Sequence, residues 1–185
     1  MSLSFRIISG ALGGRILQAP KNLPARPTKN QVKESLFNIL QHRLEIRNLK
    51  VLDLYCGLGS VSFEFASRGA SVVCVDHNPG CIKFLNESAE KLNAEIISYQ
   101  EDAFKFLDTK PLAYDLIFAD PPYDIAAEDY QFLIDKVLSN NNSFKGLLVI
   151  EHSPKIKINQ SNHCIDSRKY GSSCISIFQK PDQSE

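Results

Sequence analysis

The chain has 185 residues, 43% hydrophobic and 23% charged, with 21 basic and 21 acidic side chains, the make-up of an ordinary globular domain large enough to bury one substantial core. No apolar run approaches the ~20 residues of a membrane-spanning helix, and nothing at the N-terminus has the pattern of a signal peptide, so the cytoplasm is the expected location. Five cysteines without a CxxC pair and four scattered histidines argue against a disulfide framework and a metal site.

The neutral total hides an uneven distribution. Residues 1–50 carry nine Lys/Arg against two Asp/Glu, a net +7, and residues 51–185 carry twelve against nineteen, a net −7. A basic lobe on an acidic body suits a protein that meets a polyanion with one part of its surface. A plain solvated cationic surface has the same composition.

In chain order, residues 5–8 and 15–17 are short apolar stretches around Gly10, Gly13 and Gly14, expected to form a small β-hairpin or extended arm. Pro20, Pro24 and Pro27 then exclude a helix. Residues 1–27 thus read as a basic arm, not an independent domain, ahead of a single domain over 28–185. Thr28 and Gln31 have the T-x-x-Q spacing of a capping box, and Val32, Leu36, Phe37, Leu40 and Leu44 follow at helical spacing, which predicts a helix from about 29 to 45.

From residue 50 the pattern changes to short apolar runs alternating with helical stretches. Strands are expected at 50–54, 71–75, 95–98, 114–119 and 146–150, and helices near 59–68, 79–93, 101–107 and 126–138. Such alternation builds an α/β fold, a parallel sheet with helices on both faces. The tail departs from it: 162–169 and 173–179 around Gly171 read as a hairpin on the sheet edge.

The first strand runs into VLDLYCGLGSVSFEFASRGA, where Gly57 and Gly59 lie between strand and helix and let the backbone turn sharply beside a ligand. Ser62 stands where a dinucleotide fingerprint would put its third glycine. Asp53, four residues before Gly57, favours a cationic ligand such as the amino-acid end of S-adenosylmethionine. Asp76 ends the second strand, about 20 residues on, where a carboxylate can accept from both ribose hydroxyls. Asp102 follows the third strand and could accept from an adenine amino group. Taken singly, each acid reads as a helix cap or a solvated loop residue; together they mark the carboxyl ends of three successive parallel strands, where open α/β sheets bind ligands.

The fourth strand ends in DLIFADPPYD. Pro121 and Pro122 remove two N–H donors and leave outward carbonyls, Asp120 when ionised only accepts, and Tyr123 adds a flat aromatic face. That is a receptor for the two hydrogens of an amino group on a flat ring. With Asp120 and the Pro121 carbonyl holding those hydrogens, the nitrogen lone pair is directed at a methyl-sulfonium, and transfer relies on positioning and preorganised electrostatics. A paired or stacked target must be flipped out to reach it.

These motifs resemble the (D/N)PP(Y/F) amino-methylating group of class I S-adenosylmethionine-dependent methyltransferases. More closely, RIISGALGGRIL, RPTKNQVKESLFNIL, the glycine loop, DLIFADPPY and SRKYGSSCISIF together resemble the RsmD family, which methylates the N2 amino group of one guanine in bacterial 16S ribosomal RNA. The likeness spans nearly the whole chain, and its specific part is the R-P-T segment with the L-F-N helix. It implies a Rossmann-like fold with a mostly parallel seven-stranded sheet, a C-terminal antiparallel edge hairpin and a small N-terminal hairpin. It also implies S-adenosylmethionine held by Asp53, Tyr55, Gly57, Gly59, Asp76, Asp102 and Ala103, and a catalytic loop of Asp120, Pro121, Pro122 and Tyr123. Arg6, Arg15, Arg26 and Lys29 would contact RNA, the partner being 16S ribosomal RNA within the small subunit or an assembly intermediate, and the enzyme a monomer with no metal. Cys56, Leu58 and Ser60 depart from the commoner family loop. A DNA adenine amino-methylase and a non-catalytic RNA-binding assembly factor are the alternatives. A nicotinamide dehydrogenase is disfavoured, because it would have no use for Asp53.

Overall fold

The computed structural model describes residues 3–24, 28–122, 125–139, 144–158 and 161–180. Strands β1 (Leu3–Arg6) and β2 (Ile16–Ala19) pair antiparallel as the expected hairpin, and α1 (Asn30–Gln41) follows. Strand and helix then alternate through β3 (Lys50–Leu54), α2 (Ser62–Ser67), β4 (Ser71–Asp76), α3 (Pro79–Leu92), β5 (Ile96–Gln100), α4 (Ala103–Thr109), β6 (Leu116–Ala119), α5 (Ala127–Leu138) and β7 (Leu147–His152). The chain ends in β8 (Cys164–Tyr170) and β9 (Ser173–Phe178).

One seven-stranded sheet runs in the order β5-β4-β3-β6-β7-β9-β8. Strands β3 to β7 are parallel, β9 lies antiparallel against β7, and β8 forms the outer edge. The strand order reverses between β3 and β6. Loops leaving the sheet there diverge, and a crevice opens at the carboxyl ends of the strands.

Period-two alternation decides what each face meets. Val51, Val72, Phe118, Val149 and Ile175 face the hairpin and helices α1 to α3, and pack with Phe5, Ile7, Phe37, Phe63 and Leu85. Leu52, Leu54, Ile117, Ala119 and Ile150 face α4 and α5, and pack with Phe106, Tyr130 and Leu133. Among the described residues no helix is long and apolar enough to cross a membrane.

Helix α1 differs from the expected 29–45. It starts at Asn30 with Lys29 as its N-cap and no side-chain capping bond, so the Thr28 capping box is not formed. The Thr28 N–H instead donates to Ser60 Oγ at 3.1 Å, a tertiary bond that keeps residue 28 outside the helix. The helix also ends earlier, at a His42 cap, and Leu44 lies in the following loop.

The basic arm is docked, not loose. Ile8 N–H donates to Glu64 Oε1 at 2.7 Å, and Lys33 Nζ reaches both Arg6 O at 2.6 Å and Glu64 Oε1 at 3.1 Å. Arg68 closes on the other Glu64 oxygen at 2.5 Å while its guanidinium lies over the Phe37 ring. Ser67 completes the anchor, donating to Ser9 O and accepting from Leu12 N.

Candidate active site

The chain leaves β3 through a loop with three residues in the left-handed region, Tyr55 (φ 60), Gly57 (φ 52) and Gly59 (φ 75). Positive φ is strained for a residue with a side chain, so the fold over-determines Tyr55 there. Gly57 N–H donates to Asp76 Oδ2 at 2.8 Å, which closes the loop against the end of β4. The other Asp76 oxygen accepts from Asn78 N at 2.8 Å, and Asn78, not Asp76, caps α3 by accepting from Gly80 N and Cys81 N.

Around this loop lies a cavity of about 460 Å³ at the carboxyl ends of β3, β4 and β6, a volume that suits a small cofactor. Its walls include Asp53, Tyr55, Gly57, Asp76, Asp120, Pro121 and Pro122, together with Pro24 and Thr28 from the segment before α1. The N-terminal segment, the glycine loop and the fourth parallel strand thus converge on one space.

Asp53 is buried, and its carboxyl is pushed up to about 7 chiefly by desolvation, against the Ser62 hydroxyl that donates to Oδ2. Asp120 stands where β6 stops, because Pro121 and Pro122 have no N–H to continue the ladder. Burial first, then the charges of Glu151 and Asp53, push its carboxyl well above the ordinary range. Tyr55 is raised too, by burial and then by Asp102 and Asp129.

Several expected residues stand elsewhere. Asp102 is the N-cap of α4, accepting from Lys105 N at 3.0 Å, and neither it nor the buried Ala103 lines the cavity. Gly59 does not line it either; its φ of +75 is what favours glycine, and a Cβ there would also press on Leu85 Cδ1 at 2.8 Å. Arg6 and Arg15 are exposed on the hairpin, and Lys29 is exposed near Glu151, whose carboxyl burial pushes up while Ser173 and then the Lys29 charge only partly oppose that shift. Tyr123 and Arg26 lie outside the described residues.

Glu151 was missed by sequence reasoning. A signal existed, since LLVIEH ends an apolar strand in an acid as DLIFAD does. Asp53, Asp120 and Glu151 share one face at the ends of β3, β6 and β7: Asp53 pairs with Phe118 and Phe118 with Val149, and Asp120 and Glu151 stand two residues further along that face.

The residues present fit S-adenosylmethionine. Each Asp76 oxygen holds one backbone N–H and keeps a further lone pair for a ribose hydroxyl, and a buried acid at Asp53 suits a cationic ammonium. Fold and site together define a Rossmann-like class I methyltransferase. The family model described as Conserved hypothetical protein 95 matches residues 5–179, and the chain belongs to this family, that of RsmD-type ribosomal RNA methyltransferases.

A relative in Buchnera aphidicola, the ribosomal RNA small subunit methyltransferase D, is 34% identical over 160 residues, 82% of this chain and 80% of the relative. A hypothetical protein of Thermus thermophilus superposes with a TM-score of 0.77 at 25% identity, covering 95% of this chain and 99% of that one. The T. thermophilus 16S rRNA N2 G1207 methyltransferase RsmC, solved with AdoMet and guanosine, shares the fold at a TM-score of 0.76 and 19% identity, over 98% of this chain and 50% of its own.

Proposed function

We propose that this protein methylates the exocyclic N2 amino group of a guanine in small-subunit ribosomal RNA, the guanine(966)-N2 type of activity. The observation that carries this reading is the position of Asp120 and Pro121 on the wall of the cavity that Asp53 and Asp76 also line. S-adenosylmethionine, when bound, supplies an electrophilic methyl group on a sulfonium.

Everything else falls to the chain. Asp76 accepts from the ribose hydroxyls and Asp53 from the ammonium. A guanine amine is a poor nucleophile because its lone pair is delocalised into the ring. Asp120 and the Pro121 carbonyl each accept one of its N–H hydrogens, which favours a pyramidal nitrogen with its lone pair aimed along the line of transfer. The positive charge that develops on nitrogen is met by Asp53 and Asp120, and Asp120 is placed to take the surplus proton. Tyr123 contributes a face on which the flipped base stacks.

The solvated cations of the hairpin, Arg6 and Arg15, hold RNA phosphates while the loop reads the base. The substrate is the RNA of the small subunit or its assembly intermediate, and the enzyme acts as a monomer. The test is Asp120→Ala. It should abolish methyl incorporation into small-subunit RNA from cells lacking the gene while calorimetry still shows cofactor binding; undiminished incorporation would overturn the reading.

A further inference from the structure

The guanine reading leaves Glu151 without a task. It is 4% exposed, and its Oε2 has no hydrogen-bond partner among the described residues. Glu151 does not line the cavity itself but stands directly behind its wall, next to Asp120. Native proteins rarely leave a buried carboxylate oxygen unmatched, and such an oxygen beside a wall residue is placed to meet a donor that enters past it. Its neighbours define the direction. Ala119 pairs with Ile150, so the next residues, Asp120 and Glu151, are adjacent at the carboxyl ends of β6 and β7, and their side chains share the face that carries Asp53. Ser173 from β9 hydrogen-bonds the Glu151 carboxylate, and Lys29 faces it from the start of α1.

We propose that Glu151 is a specificity-determining residue that accepts the N1–H of the target guanine beside Asp120, which accepts from its N2 amino group. This role rests on the guanine-N2 reading and on the donor pattern of base edges. The guanine edge presents two adjacent donors, N1–H and N2–H. Adenine and cytosine present an amino donor beside a bare ring nitrogen, whose lone pair would face a carboxylate. Two side chains on neighbouring strands, about 4.8 Å apart at the backbone and acceptor-only in the ionised form that a paired donor favours, match the first pattern and repel the second. A site built to pair a donor rejects the analogue lacking it more strongly than an apolar pocket could. The DPP loop alone reads only an amino group; the second carboxylate distinguishes which base carries it.

The experiment uses small-subunit particles reconstituted on 16S RNA ligated to carry either guanine or 2-aminopurine at the mapped target. 2-Aminopurine keeps the amino group and replaces N1–H with a lone pair. The wild-type enzyme should prefer guanine in kcat/KM by about ten- to a hundredfold, the value of a hydrogen bond to a charged group. Glu151→Leu should lower that preference by about tenfold with cofactor affinity retained in calorimetry. Glu151→Gln, whose amide offers both a donor and an acceptor, should raise the 2-aminopurine rate and bring the ratio towards one, and it decides the matter if the leucine variant does not fold. A guanine preference unchanged in the glutamine variant, or a wild type indifferent to the two bases, overturns the role of Glu151 while leaving guanine methylation intact. A wild type that methylates no guanine overturns the functional reading itself.

Discussion

Lys33 and Glu64 meet in the interior of the protein, ammonium to carboxylate at 3.1 Å, with neither side chain reaching solvent. Burial lowers the Lys33 ammonium, and the Glu64 carboxylate opposes that shift. The pair joins α1 to α2 and, through Arg6 O and Ile8 N, fixes the arm to both. Removing the cation leaves a buried carboxylate with Arg68 alone as its charged partner. Lys33→Met is expected to cost about 3 kcal/mol, read as a lower midpoint in urea unfolding. A loss under about 1 kcal/mol would show that Arg68 suffices.

Gly10 is a second fastening point. It has φ +84, and a Cβ there would lie 2.0 Å from Ser67 O. Gly10→Ala must lift the hairpin from α2, at a cost of about 1–3 kcal/mol for the strained backbone and lost bonds. Hydrogen exchange should show lost protection at Ile8, Ala11 and Leu12, whose N–H groups bond to Glu64 and Ser67 of α2, with β3 and β6 unaffected.

Asp53 makes cofactor affinity depend on pH. In the free protein its carboxyl titrates near 7, above its unfolded value. Its contribution to stability is therefore complete below the ordinary carboxylate range and lost as pH rises through 7. A cationic ligand prefers the ionised form, so binding should strengthen roughly fivefold from pH 6 to 7 and level off above. Asp53→Asn should bind more weakly and lose this dependence; a parallel pH profile in the variant would assign the effect to another group.

The cations of the first fifty residues are unequal. Lys33 is buried, and Arg43 is paired with Asp166 at 2.7 Å. Arg6 and Arg15 stand exposed on the hairpin. Replacing either by alanine should reduce the slope of log affinity against log salt by about 1, as expected for one lost phosphate contact. Arg43→Ala should leave the slope unchanged.

Local signals carried much of the fold. Apolar runs and helical spacing located each element from β3 to β9 to within a few residues, because burial on a sheet or a helix leaves a period in the sequence. The α1 boundary was legible only in part, since the Thr28 N–H finds Ser60 rather than its own helix. The acids at strand ends were legible as well, yet nothing local separated Asp102, which caps α4, from Asp53 and Asp76, which line the cavity.

The α/β class, the glycine turn, the donor-free DPP loop and the membership of the family are all written in the linear order of residues. That Gly59 shapes the turn without lining the cavity, that Lys33 is an internal cation and that Glu151 stands beside Asp120 emerges only when the chain is folded. Alternation along a strand records which face a residue takes, and not which strand comes next to it. The adjacency of β6 to both β3 and β7 is set by long-range pairing, and it alone brings Asp53, Asp120 and Glu151 together on one face of the sheet.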